Sequence, residues 1–430
     1  MIALRYFVFI ALVIGQNIQP GHSLCGSKCE IDINKKYGMD KPLFLDEETL
    51  EVVYPVGSSK INFCSDEEYL LHCFGGHLKR SDTTTDVTSE PSKCLKGLKF
   101  IEPSSKAKYT FDEVKCTGNP KPGMREVGKC NDGVLVNISY QVTKDRFWDI
   151  LDLCYVDDLS TTTWAHSVIP KIIGEKKNEK YATPGFVKGQ FFQNVAITNV
   201  YTNQLKAFEE IFHNDMSKIN RYLPPKTGRK GNIYPDGNLF NYKNYLERGH
   251  LVPRADKFYL QEQKSTYFYV NVLPMWFSIN RGNWRFAVEG EVRKLATKIG
   301  DLDVWTGGLG ILDLEGREIF LSKHKRKSAS KQVPVPKLLY KLVYSKAKNS
   351  CVAFVVANNP YLDENRALPK DYQICKQTEL CNNIKKSHQF EMVERGYTYC
   401  CECGDFLGNE LVKKIGIPLK FSEIPKKLVF

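Results

Sequence analysis

Glu247 to Asp256 reads ERGHLVPRAD, and shortly beyond it Asn271 to Trp284 reads NVLPMWFSINRGNW. Leu246 to Pro253 has the length and branching of a short extended segment. Gln261 to Leu273 is a helical or extended approach to Pro274. Asn280 to Ala296 is the best helix in the chain. Trp284, Val288, Val292 and Leu295 recur at helical spacing and define one buried stripe. A short strand followed by an amphipathic helix, with polar residues gathered at the junction, is the arrangement around which the rest of the chain is read.

The polar residues are of particular types. His250 follows a glycine at the end of the extended segment, with Arg248 and Arg254 on either side. Asn271 and Asn280 come later, and Glu289 lies on the helix. Phosphodiester hydrolysis needs a base to deprotonate water and a hard cation to polarise the phosphate. It also needs a guanidinium to hold the phosphoryl oxygens. Histidine titrates near neutral pH and suits the base role. A lone strand histidine is, on composition alone, more often structural.

The two stretches together resemble the DNA/RNA non-specific endonuclease family, whose motif is usually written Asp-Arg-Gly-His. Within it the chain is similar to secreted salivary endonucleases of blood-feeding insects. The resemblance runs from about residue 150 to about 420. It implies an α+β fold with a ββα-metal core and a central antiparallel or mixed sheet. By position it implies His250 as general base and Asn280 as the single direct protein ligand of Mg²⁺, with Mn²⁺ as a substitute. A wet, oxygen-only shell suits such an ion. Arg248 then contacts the phosphate or the transition state, and Asn271 supports the site. Glu289 touches the metal through water. Arg254 and Arg281 face the substrate, and His166 either does so too or is a buried strand histidine. The resemblance implies cleavage of single- and double-stranded DNA, and of RNA, leaving 5′-phosphate ends.

Three departures from the family pattern stand out. Glu247 replaces the usual aspartate, and Met275 replaces the glutamine usual after Pro274. Trp284 and Glu289 are five residues apart where the family has four. On a regular helix that extra residue turns Glu289 by about 100°. The expectation is a π-bulge between Trp284 and Glu289, which would absorb it.

Working outward, the charge distribution agrees with a polyanionic partner. The net charge is +12. Tyr155 to Ser350 carries 31 Lys and Arg against 18 Asp and Glu, and the remainder 30 against 31. The whole excess therefore lies in the block that holds His250, where basic surface draws in phosphate. Lys226 to Lys230 and Lys323 to Lys327 concentrate it further; each is either a phosphate track or a solvated surface. Trp276 and Phe277 are read as core, with base stacking as the alternative.

The 14 cysteines avoid that block. Eight lie between Cys25 and Cys154 and six between Cys351 and Cys403. Arg5, the apolar run Tyr6 to Gly15 and the small residues at Gly21-His22-Ser23 read as a signal peptide over 1–23. The run is too short to span a bilayer. Export and an even cysteine count together imply disulfides. Tyr399-Cys400-Cys401-Glu402-Cys403 with His388 could be a zinc cluster, but the spacing matches no common zinc motif. Asn137-Ile138-Ser139 is the one full sequon, an expected surface glycan site.

The organisation expected is a signal peptide at 1–23, a cysteine-rich region at 24–150 and a nuclease domain at 151–425. Thr162 to Ile173, Leu302 to Trp305, Leu338 to Tyr344 and Cys351 to Ala357 read as strands, the last as central. The expected function is a secreted Mg²⁺-dependent endonuclease with no membrane partner. The alternative is a secreted nucleic-acid-binding protein that has lost catalysis. A disulfide-rich adhesion protein would have no reason to gather its charge around a histidine.

Overall fold

The computed structural model describes residues 28–65, 67–80, 83–175, 183–223, 245–323, 331–419 and 425–429. The expected leader and the basic stretches 226–230 and 324–327 lie outside the described residues. The architecture is α+β, as expected, and is built on a nine-stranded sheet. In spatial order its strands are Gly123–Cys130, Gly133–Gln141, Phe147–Val156, Thr161–Ile169, Leu302–Ile311, Pro336–Ser345, Ser350–Ala357 and Thr398–Cys401. Lys426–Lys427 pairs parallel to Ser350–Ala357, while the other pairings are antiparallel, so the sheet is mixed.

The sheet buries both faces over most of its length. One face sets Ala165, Val304, Val343 and Phe354 in the same core as Met275, Trp276, Trp284 and Val288. The other sets Trp164, Trp305, Tyr340 and Val355 against Phe406 and Val412 near the C-terminus. Ser350–Ala357 is buried at every position. That explains its unbroken apolar run, although the strand lies next to the edge of the sheet and is not central. The bulge at Cys154/Tyr155 exchanges which residues of Thr161–Ile169 face which side.

The first three strands of the sheet lie in the region assigned to the cysteine-rich part. The boundary expected at 150 therefore falls inside the strand Phe147–Val156. Hydrophobic alternation continues through that point, whereas the cysteine count had drawn the eye to Cys154. Before it stands a smaller module with a five-stranded sheet of Leu43–Asp46, Glu68–His72, Ser89–Lys96, Lys99–Ile101 and Lys108–Thr110. Phe44, Phe63, Phe100 and Phe111 fill its core. The Cys29–Cys94 and Cys73–Cys116 disulfides close it. This module grips the short helix Leu260–Ser265. Tyr54 donates to Glu262 Oε1 at 2.8 Å, and Gln261 Nε2 donates to the Lys41 carbonyl at 3.3 Å.

Six disulfides are formed among the described residues. Cys130–Cys154 ties the first and third strands of the large sheet. Cys351–Cys403, Cys375–Cys401 and Cys381–Cys400 staple its far end. Three of these take up Cys400, Cys401 and Cys403, and His388 Nε2 meets Glu291 at 2.8 Å. The zinc alternative is therefore set aside: a cysteine in a disulfide has no thiolate to offer a metal. No helix among the described residues is long and apolar enough to cross a membrane.

Candidate active site

Leu246–His250 and Val272–Trp276 pair antiparallel, with His250 opposite Val272 and Glu247 opposite Met275. The chain then enters the helix that starts at Phe277 and runs to Ile299. This is the strand–strand–helix unit that the two quoted stretches predicted. Met275 is fully buried, and its side chain lies across Gly249. A Cβ at position 249 would stand 2.2 Å from Met275 Sδ and 2.9 Å from its Cβ. The glycine before His250 is thus required by its cross-strand neighbour. The methionine that departs from the family pattern is the residue imposing this.

The hairpin is fixed from both ends. Asn271 is 0% exposed and uses its whole side chain on backbone. Its Nδ2 donates to the carbonyls of Val252 and Thr266, both at 2.9 Å, and its Oδ1 accepts from Val252 N–H at 3.0 Å. Asn271 therefore acts on the segment that follows His250, not on a substrate. On the sheet side, Asn358 donates to the carbonyls of Pro274 and Pro336 and accepts from Trp276 N–H. Nothing near Asn358 in the sequence marks it as part of this unit.

His250 is packed between aromatic rings. Phe186 and Tyr267 stand 5.2 and 5.3 Å from it, centroid to centroid. Its Nε2 is sealed from solvent and has no hydrogen-bond partner. Burial, reinforced by the charges of Arg248 and Arg254, lowers its pKa to about 4. The ring is consequently neutral at pH 7. Phe186 arrives from far away in sequence, held by Val187, whose N–H donates to Tyr267 O and whose carbonyl accepts from Tyr269 N–H. Arg248 is exposed, lies over the Phe186 ring at 4.9 Å and reaches Tyr269 Oη at 3.3 Å.

Asn280 sits at the head of the helix and is half-buried. Its Nδ2 donates to Glu247 Oε2 at 2.8 Å. A carboxylate only accepts, so this contact fixes which way the amide points and leaves Oδ1 as the outward acceptor. Arg281 binds the same carboxylate, with Nη2 2.9 Å from Glu247 Oε1. The extra methylene of Glu247, relative to the family's aspartate, is used in reaching both partners. Arg281 is an exposed cation already engaged with Glu247, with its guanidinium over Phe277 at 4.5 Å.

The helix is a π-helix from Asn280 to Glu289, and Gly290 N–H donates to Arg285 O, five residues back. The bulge expected from the Trp284–Glu289 spacing is present. Gly282 departs from helical geometry at φ −94° and ψ −124°, and a Cβ there would meet Arg395 O at 2.7 Å. Asn283 Nδ2 donates to Gly396 O at 2.9 Å. The disulfide-stapled C-terminal part thereby holds the first turn of this helix. The wide turn directs Glu289 inward, with Oε2 3.8 Å from Arg293 Nη1. Arg293 in turn binds Asp256 at 2.7 Å, and Lys341 stands 3.9 Å from Asp256 and 2.9 Å from Thr306 Oγ1. Burial raises the Glu289 pKa against the pull of Arg293. Sequence reasoning found Glu289 but missed Arg293 and Lys341, which come from a later turn of the helix and from the sheet.

Two of the expected residues lie away from the hairpin. His166 is not brought to the hairpin. It stacks on Trp305 at 4.4 Å, on the sheet face opposite the one that packs the site. Its Nδ1 and Nε2 lie 3.0 and 3.1 Å from Asp152 and Asp303. Burial works to lower its pKa, but the two carboxylates outweigh it and the net shift is upward. Asn137 is 7% exposed within a strand, and its Nδ2 is bonded to Asp152. An amide nitrogen held inside a sheet is not a surface acceptor for a glycan. Trp276 and Phe277 are core, at 0% and 1% exposed.

Among the described residues no three His, Cys, Asp or Glu side chains converge as metal ligands. Asn280 offers one oriented amide oxygen beside the carboxylate of Glu247. One hard oxygen with acidic support fits an ion that keeps most of its water, as Mg²⁺ does.

The profile of the DNA/RNA non-specific endonuclease family matches residues 131–406. The chain is similar to a salivary endonuclease of Lutzomyia longipalpis, 27% identical over 277 residues, covering 64% of this chain and 60% of that one. It therefore spans less than two thirds of that relative's length. It is similar to salivary protein Tsal2A of Glossina morsitans morsitans, 26% identical over 94% of this chain and 93% of the relative. Salivary protein Tsal1 of the same organism is 33% identical over 171 residues, 38% of this chain and 39% of its own. In the crystal structure of the EndoG/EndoGI complex, one chain superimposes with a TM-score of 0.28 at 15% identity, over 56% of this chain and 84% of that one. With the match covering well over half its length, the chain belongs to the DNA/RNA non-specific endonuclease family.

Proposed function

We propose that the protein is a secreted, Mg²⁺-dependent endonuclease that hydrolyses phosphodiester bonds in DNA and RNA without sequence preference. The observation that carries this reading is the junction of hairpin and helix. There a neutral, half-buried imidazole with an unpartnered nitrogen adjoins arginines, and an oriented asparagine oxygen heads the helix. His250, which is half-buried, takes the proton of the attacking water at Nδ1, the ring nitrogen that is not sealed. Arg248 and Arg254 hold the phosphodiester, and its negative charge offsets the two cations that depress the imidazole. As that depression lifts, the ring becomes a stronger base in the complex than in the free protein. Asn280 Oδ1, aimed by Glu247, is the residue that would hold Mg²⁺. The chemistry Mg²⁺ supplies when bound is polarisation of the phosphoryl oxygens and neutralisation of the leaving oxygen. Glu289, buried at the far end of the π-helical stretch beside Arg293, is the candidate for the acid that would reach the ion's water.

Nothing in this arrangement reads bases, so binding is expected to be governed by phosphate contacts and to weaken steeply with salt. Export through a leader at 1–23 is supported by the disulfides and by the salivary relatives. The decisive experiment is plasmid digestion with Mg²⁺, with and without EDTA, by wild type and His250→Ala. Cleavage by wild type alone, abolished by EDTA, is expected. Undiminished cleavage by His250→Ala overturns the mechanism. Tight DNA binding without cleavage by folded wild type favours a nucleic-acid-binding protein that has lost catalysis.

A further inference from the structure

Among the described residues, two aromatic side chains are more than a third exposed: Tyr245 at 39% and Phe286 at 44%. Isolated exposed apolar residues are common and need no explanation. These two, however, both belong to the candidate site. Tyr245 directly precedes the His250 strand, with its ring 4.8 Å from Phe277 and its hydroxyl 3.4 Å from Glu247 Oε1. Phe286 lies on the helix headed by Asn280. On that helix Gly282, Asn283, Trp284, Ala287, Val288 and Glu289 are buried, which leaves Asn280, Arg281, Arg285 and Phe286 as the solvent-facing strip. The Arg285 guanidinium sits 5.4 Å from the Phe286 ring, and that of Arg281 sits 4.5 Å from Phe277. From the metal-holding asparagine to Phe286 is six residues, a rise of about 7–9 Å. That is about two nucleotides at the stacked spacing of about 3.4 Å.

Two guanidinium groups between two exposed rings match a strand that carries both phosphates and bases. A duplex turns its base faces inward, so the rings can receive only unpaired bases. We propose that Tyr245 and Phe286 are stacking platforms that bind single-stranded nucleic acid on either side of the phosphate cut at His250 and Asn280. Stacking tolerates any base, so the platform adds affinity without sequence preference. Single strands and locally unpaired segments are thereby bound in preference to intact duplex, which is still cleaved. This inference rests on the nuclease reading given above.

The test uses the full-length protein in EDTA with a short single strand carrying one 2-aminopurine, whose fluorescence falls when the base stacks on an aromatic ring. The same strand annealed to its complement gives the duplex affinity. Wild type is expected to quench the probe and to bind the single strand more tightly than the duplex. Phe286→Leu and Tyr245→Leu keep apolar bulk without a π-face. Each is expected to lose quenching and to lower the single-strand to duplex affinity ratio about fivefold to a hundredfold. Wild-type quenching and ratio that survive in both variants overturn the platform. So does a wild type that cleaves plasmid with Mg²⁺ yet never quenches the probe; that result leaves the nuclease reading intact. A wild type that neither cleaves nor binds overturns the nuclease reading and the platform with it.

Discussion

Replacing Asn271 by alanine should unfasten the active hairpin. The wild-type side chain makes three hydrogen bonds, at 2.9, 2.9 and 3.0 Å, to backbone groups of Val252 and Thr266, and the residue is wholly buried. Alanine leaves one N–H and two carbonyls in the interior with no side chain to satisfy them. Each such group costs about 1–3 kcal/mol, and partial relaxation keeps the total near the lower end, so a loss of about 3–6 kcal/mol is expected. That is a large part of the stability of an ordinary domain. Urea denaturation followed by fluorescence reads the change as a shift in midpoint at unchanged slope. A kinetic consequence accompanies it. Val252 lies two residues after His250, so slack there moves the imidazole, and kcat should fall even under conditions where the variant is folded. Asn271→Asp is informative because its carboxylate can accept from Val252 N–H but faces two carbonyls with no proton to give. It should be as damaging as alanine or worse. A loss below about 1 kcal/mol with full activity would refute the claim that this side chain anchors the segment after His250.

The other predictions concern the head of the helix, the glycine and pH. Glu247→Gln keeps an acceptor for Asn280 but loses the ion pair with Arg281, so the Mg²⁺ concentration for half-maximal cleavage should rise modestly. Glu247→Ala frees the amide to turn and should raise it about tenfold or more, consistent with the loss of a charge-assisted hydrogen bond. An unchanged Mg²⁺ requirement in the alanine variant would show that Asn280 is oriented by something else. Gly249→Ala sets a Cβ into Met275 and should lower stability by about 1–3 kcal/mol; Met275→Ala should cost less in that variant than in wild type. For pH, His250 has a folded pKa of about 4, below its unfolded value, so its contribution is complete above about pH 6.5. As pH falls from there to about 4 the unfolded chain takes up the proton first, and up to about 3 kcal/mol is lost. His166 is shifted the other way, so its contribution is present at low pH and fades as pH rises past its unfolded value. The gap between His250→Gln and wild type should therefore change as pH falls below about 6.5, and that between His166→Gln and wild type as pH rises above about 6.5.

Much of this site could be read along the chain. The hairpin and helix lie in one stretch, so their periodicity and their motif are local signals. Even the π-bulge was foreseeable, because a single added residue between Trp284 and Glu289 has to be accommodated by the helix that contains them. The charge distribution likewise belonged to composition. What the sequence could not supply is whatever reaches the hairpin from elsewhere. Phe186 roofs His250, Asn358 ties the hairpin to the sheet, and the segment at Arg395–Gly396 holds the helix head. Each is a contact across long chain separation, and no local pattern announces it. His166 and Asn137 failed for a related reason. A strand alternates its side chains between two faces, and only the assembled sheet, with its bulge at Cys154/Tyr155, decides which face meets the site. The sequence by itself determined the strand–strand–helix unit and marked the polar residues gathered on it. The tertiary structure decided which of them share one surface, because burial and the side on which a strand presents its residues are properties of packing.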